Sequence, residues 1–229
     1  MVISNSCVED VENIWIDYLD LKEDYGSVKS GFSADENLSK AMDFGFGIRI
    51  IRQEMFECLI SFIISTQNAI PRIKKIVSKL CEMYGTPIEY RGKTYYAFPE
   101  PEQLADITEE DLAPLRAGYR AKYIVDCVNK VLTGQINLND VFNRETSSAR
   151  KELLKISGVG PKVADCVMLF SMKKYDAFPI DVWVKRIMST LYLDENATTN
   201  DIQAYAAEKF GKYAGVAQQY LFYYARENG

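Results

Sequence analysis

One turn and two side chains carry the chemistry open to this sequence. The turn is Leu153-Leu154-Lys155-Ile156-Ser157-Gly158-Val159-Gly160-Pro161-Lys162-Val163-Ala164. An apolar helix end meets two glycines around one aliphatic residue. A new helix then opens with proline, whose missing N–H costs nothing there. Gly158 and Gly160 permit positive φ and close approach by another backbone. With Val159 between them, their N–H groups and the following helix N-terminus form an anion site suited to a phosphate. Such a helix–hairpin–helix grips a nucleic-acid backbone without reading its bases, although a bare turn between helices would use the same glycines. Lys162 stands in the first helical turn, where the positive end of the dipole disfavours an ammonium. An uncharged amine there is a nucleophile able to form a Schiff base; a charged one would only touch phosphate. Asp181, in Phe178-Pro179-Ile180-Asp181-Val182-Trp183-Val184-Lys185-Arg186, is placed to N-cap the next helix. A cap keeps the carboxylate ionised and fixed in direction. Lysine and aspartate, each at a helix start and one helix and loop apart, can face one cleft.

The elements that must position these groups are helical nearly throughout. Ser6-Cys7-Val8-Glu9 and Ser33-Ala34-Asp35-Glu36 have capping-box spacing, the first ahead of Val8, Val11, Ile14, Trp15, Tyr18 and Leu19 at helical intervals. Met55 to Ser65 is apolar on most sides, too short to span a membrane, and fits a central buried helix ended by Thr66-Gln67-Asn68. Pro71 opens a helix with Ile73, Ile76, Val77 and Leu80 on one face, stopping at Gly85. Residues 86–98 form a hairpin around Arg91-Gly92. Thr108-Glu109-Glu110-Asp111 caps a short helix, and Gly118 precedes a helix from Tyr119 to Leu132. Helices follow over 145–155, 161–172, 181–191, 199–210 and 215–226. The fold class is all-α, with about ten helices and one small β-hairpin. The chain reads as one domain of two helical lobes, 48–144 and 8–47 with 145–229.

Composition narrows the functions. The chain has 229 residues, five cysteines and no histidine, which removes His-based zinc sites and Ser-His-Asp or Cys-His nucleophiles. The cysteines, Cys7, Cys58, Cys81, Cys127 and Cys166, form no CxxC pair and read as small hydrophobes rather than a cluster or a disulfide frame. Net charge is −5, but residues 1–48 carry −7 and the rest +2, so a basic stripe is compatible with it. No apolar run reaches the roughly 18 residues of a membrane span, and the N-terminus lacks a secretory pattern. A cytoplasmic location is the expectation, nucleoid-associated if the source is bacterial.

Gly158-Val159-Gly160-Pro161-Lys162-Val163-Ala164-Asp165-Cys166, followed by Phe178-Pro179-Ile180-Asp181, resembles the helix–hairpin–helix DNA glycosylases. Four further segments extend the likeness to the 8-oxoguanine DNA glycosylase/AP lyase branch: residues 57–63, 65–73, 118–123 and 213–222. The resemblance covers residues 10–226. It implies that Lys162 attacks the anomeric carbon, expels the damaged base and holds a Schiff base for β-elimination, while Asp181 stabilises charge on the sugar. It implies a phosphate at Gly158, Val159 and Gly160, with a monovalent cation on hairpin carbonyls and no organic cofactor or other metal. Gln67 takes the wedge position beside Asn68, Arg72 and Arg120 address the orphaned cytosine, and Tyr119 wedges beside it. Cys166 and Phe222 sandwich the flipped base, with Gln218 on its edge. Lys162 and Cys166, like Gln218 and Phe222, are spaced i, i+4 and so share a helix face; core packing would place Cys166 and Phe222 equally well.

Three departures stand out. Ser157 replaces a proline, which would loosen the hairpin; Trp183 stands where relatives often carry a histidine that contacts phosphate; and the family's N-terminal β lobe would be reduced to Val2-Ile3-Ser4. The implied partner is duplex DNA with a damaged base or abasic site, engaged by a monomer away from any membrane. The competing reading is a non-catalytic or lyase-only DNA-binding module. The iron–sulfur sibling branches lack support because their cysteine cluster is missing.

Overall fold

The computed structural model describes residues 7–228. In chain order the elements are α1 (Val8–Asp10), a π-turn (Val11–Trp15), α2 (Ile16–Tyr18), α3 (Tyr25–Gly31), α4 (Glu36–Phe44), α5 (Met55–Ser65), α6 (Ile70–Tyr84), β1 (Pro87–Tyr90), β2 (Lys93–Tyr96), α7 (Arg120–Leu132), α8 (Leu138–Asn143), α9 (Thr146–Leu153), α10 (Pro161–Ser171), α11 (Val182–Leu191), α12 (Thr199–Phe210) and α13 (Ala214–Asn228). The fold is all-α. Among the described residues the only sheet is the antiparallel β1–β2 pair, joined through Arg91 and Gly92, both at positive φ as a tight hairpin turn requires.

The described residues divide into two compact units, 54–167 and 7–53 with 168–228. The second boundary therefore falls inside α10, not at the expected 144/145. The reason is α9 and its hairpin: α9 packs on α8 and the turn bonds to α7, which ties 145–167 to the central unit. In that unit α5 is the core helix. Its Leu59, Ile60, Ile63 and Ile64 are fully buried, and α6 and α7 pack against it. In the other unit α13 packs on α4, α11 and α12. Phe210 gathers Phe32, Phe178, Tyr192 and Tyr205 around its ring, and buried Asp20 accepts hydroxyls from Tyr25 and Tyr175 at 2.9 and 2.6 Å.

Several local expectations are corrected. The first cap is Cys7 with Asp10, and Asp35, not Ser33, caps α4 through Leu38 N. Ser6 and the expected strand remnant Val2-Ile3-Ser4 lie outside the described residues. Thr108 and Asp111 do exchange hydrogen bonds, but a 3-10 turn (Ala113–Leu115) follows, because Pro114 lacks the N–H an α-helix would need. Helices α3 and α8 were not expected. Glycine and short polar residues give α3 little propensity; Asp24 caps it through the Gly26 and Ser27 N–H groups, and Tyr25 and Val28 are buried.

Candidate active site and nucleic-acid interface

The hairpin between α9 and α10 is over-determined by its surroundings. Gly158 sits at φ +82°, and a Cβ there would lie 2.4 Å from the Tyr123 ring. Only glycine fits. Gly160 differs from expectation: it has no positive φ, and nothing lies within 4 Å of a Cβ built on it. Its role is therefore openness, not backbone strain. Val159 is buried, and Val159 N donates to Ile156 O at 3.1 Å. Arg150 on α9 closes the motif by donating to buried Asp165 on α10 at 2.7 Å.

Pro161 is the first residue of α10 and Lys162 the second. The Lys162 nitrogen lies 5.2 Å from the Phe62 ring centroid. Among the described residues it makes no hydrogen bond or ion pair, so no carboxylate holds the amine. Cys166, one turn along α10, is buried.

Helix α7 braces this hairpin from one side. Asp126 accepts from Ser157 N at 2.8 Å, and Lys130 donates to Lys155 O at 2.7 Å while pairing with Asp126 at 2.8 Å. Ser157 does not loosen the turn, because its N–H makes a bond that proline could not. Burial pushes the Asp126 carboxyl up, but Lys130 and the Ser157 N–H outweigh it and hold it below its ordinary 3.8. A carboxyl lowered by folding lends stability that is full above its unfolded value and is lost as pH falls through the folded one. Ser157 amide protection against hydrogen exchange should hold above about pH 4 and fall below it. In Asp126→Asn that acid step should vanish; the same acid step in both proteins would contradict the brace.

The start of α7 holds a second loop, Thr66 to Ala69. Arg120 is only 4% exposed and donates to the carbonyls of Thr66, Gln67 and Ala117. These bonds fix the loop against the start of α7. Gln67 is exposed at φ +47°, a strained conformation for a non-glycine residue that the Arg120 bonds sustain. Tyr119 donates its hydroxyl to Gln67 Oε1 at 3.2 Å, lies under the Arg120 guanidinium and meets Tyr123 edge-on. Asn68 turns back to donate to Ile64 O at 3.0 Å, so it ends α5 instead of reaching outward. Arg72 is exposed, with one arm on Arg116 O at 2.9 Å. Ile70, 65% exposed beside this loop, was missed because an isoleucine in a helical pattern reads as core.

In the other unit, Asp181 caps α11 as expected, accepting from Val184 N at 2.8 Å through Oδ1. Val182 and Trp183 follow it, exposed. Gln218 and Phe222 stand one turn apart on α13. Gln218 is buried and accepts from Gln219 at 2.6 Å, while Phe222 is half-buried with Arg226 at 6.0 Å. Within the central unit the structure thus brings the loop from Thr66 to Ala69, Tyr119 and the hairpin onto one helix, α7. Arg150, Asp165, Asp126 and Lys130 complete the support. Only the i, i+4 spacing of Asp126 and Lys130 hinted at any of this in sequence.

Residues 60–212 match the family model described as HhH-GPD superfamily base excision DNA repair protein, and residues 2–59 match that of the 8-oxoguanine DNA glycosylase N-terminal domain. An 8-oxoguanine glycosylase/lyase from Clostridium acetobutylicum, solved with double-stranded DNA containing cytosine opposite 8-oxoguanine, superposes with a TM-score of 0.94 at 47% identity, over 100% of this chain and 81% of that one. A probable N-glycosylase/DNA lyase of Methanothermobacter thermautotrophicus is 32% identical over 93% of this chain and 75% of its own length. The N-glycosylase/DNA lyase of Saccharomyces cerevisiae is 35% identical over 77% of this chain, which spans 56% of the yeast protein.

Proposed function

The chain belongs to the 8-oxoguanine DNA glycosylase/AP lyase family within the HhH-GPD superfamily, and from that premise we propose that it excises 8-oxoguanine from duplex DNA with Lys162 as nucleophile. The observation that carries the reading is Lys162 itself: an amine held by no carboxylate, in the first turn of α10, directly after a hairpin whose Gly158 cannot be replaced. Lys162 Nζ attacks C1′ of the flipped nucleoside; the glycosidic bond breaks and the base leaves with its electron pair and gains a proton. Ring opening then gives a Schiff base. Loss of a C2′ proton expels the 3′-phosphate, and water frees the lysine. Asp181, fixed by its cap, stabilises positive charge developing on the sugar.

Around this chemistry Gln67 fills the gap left by the flipped nucleotide, with Tyr119 beside it, and Arg72 addresses the partner base. Cys166, Phe222 and Gln218 receive the flipped base. The N–H groups around Gly158 and Gly160 hold a phosphate. The carbonyls of Ser157, Gly158 and Val159 accept no hydrogen bond among the described residues, a donor set that suits a monovalent cation, whose charge would favour the phosphate. The protein acts on this duplex as a monomer. Among the described residues no helix is long and apolar enough to cross a membrane; a cytoplasmic place, nucleoid-associated if the source is bacterial, goes with this substrate.

Asp181→Asn separates charge from capping. Asparagine caps as well as aspartate, so stability should change by less than about 0.5 kcal/mol. Base release from a duplex with 8-oxoguanine opposite cytosine should fall by about 10²-fold or more. A wild-type protein that binds this duplex without releasing base or nicking it would establish the non-catalytic alternative instead.

A further inference from the structure

We propose that the cleft between α6 and the 3-10 turn before α7 is a second DNA contact, which grips backbone phosphates beyond the wedge loop. This rests on the DNA-repair reading above. The cleft has a volume of about 690 Å³ and is lined by Arg72, Lys75, Lys79 and Arg116, with Glu82 at its far end. Four cations against one carboxylate is an unusual concentration in a chain of net charge −5. Arg72, Lys75 and Lys79 follow at i, i+3 and i+7, so they form one exposed stripe on α6. Lys79 meets Glu82 at 3.3 Å. Among the described residues, the Lys75 and Arg116 side chains make no hydrogen bond or ion pair.

Two further facts identify the occupant. Arg72 bridges the cleft by donating to Arg116 O, and Arg116 at φ +53° turns the chain toward Gly118 and Tyr119. Tyr119 in turn meets Gln67 in the wedge loop. The stripe is thus continuous with the groups that enter the duplex. Arg72 opens the stripe at the wedge end, and from Lys75 to Lys79 it rises about 6 Å, close to the axial length of two nucleotides of one strand. Lysines at that spacing neutralise phosphates without reading sequence.

The test is the salt dependence of binding to a duplex carrying a tetrahydrofuran abasic analogue, with Lys75→Gln/Lys79→Gln against wild type. Each lost phosphate contact lowers the slope of log affinity against log salt by about 0.9, so the double variant should lose about 1.8. An undamaged duplex of the same length should show the same loss, and single-turnover base release at saturating protein should be unchanged. Glutamine is a good helix former, and unaltered circular dichroism would exclude misfolding. An unchanged slope would overturn the proposal while leaving Lys162 catalysis standing; failure of wild-type base release would instead strike the reading beneath it.

Discussion

Replacing Lys162 by glutamine is expected to lower single-turnover release of 8-oxoguanine by at least about 10³-fold, because removal of a covalent nucleophile removes the reaction path itself. Folding should survive. The substitution takes a cation away from the positive end of α10, which favours the helix by about 0.3–1 kcal/mol, and loses a contact of similar size with Phe62. The melting temperature should therefore move little. Affinity for the tetrahydrofuran duplex should stay within about tenfold, or 1.4 kcal/mol, because the hairpin and the wedge loop are untouched. A loss of rate matched by an equal loss of affinity would mean that Lys162 binds DNA and does not react with it.

The second large effect is at Gly158. Gly158→Ala must place a Cβ within 2.4 Å of the Tyr123 ring in a backbone at φ +82°. The left-handed conformation alone costs about 1–2 kcal/mol, and relieving the overlap raises the total to about 3 kcal/mol or more. For a chain of this size that is a fall in melting temperature of roughly 6–12 °C. The damage should also travel. Tyr123 would be driven toward Tyr119, whose hydroxyl meets Gln67, so DNA binding and the wedge should weaken together. Gly160→Ala is the control. With open space at that position, it should melt like wild type and lose affinity only, because its methyl stands where a phosphate would approach. Equal melting of all three proteins would refute the tight packing at Gly158.

These two glycines also mark how far the sequence could be read. Glycine, proline and lysine in one turn were enough to locate the hairpin, because helix starts obey local rules. Which glycine is strained was not legible, since the answer depends on Tyr123 far away in the chain. The same limit applies to Arg120. The resemblance implied a role toward the orphaned base, and nothing local in the sequence showed that three carbonyl groups would draw the side chain into the interior. Helix α5 was found at its true bounds because burial on most sides leaves a dense apolar run, and Asp181 was found as a cap because capping is a local geometry. The brace from Asp126 and Lys130 to the hairpin links residues 25 and 31 positions apart, beyond any periodic pattern. Ser157 was misjudged for a related reason. Comparison with proline weighs stiffness, while the value of serine here is an N–H that Asp126 accepts.

The most direct measurement is borohydride reduction of the protein working on a duplex with 8-oxoguanine opposite cytosine, followed by proteolysis and mass spectrometry of the captured adduct. A nucleophilic Lys162 predicts a sugar remnant on the peptide containing that residue and none elsewhere. A remnant on Lys173, on another lysine or on the terminal amine, or base release with no capture at all, would contradict it.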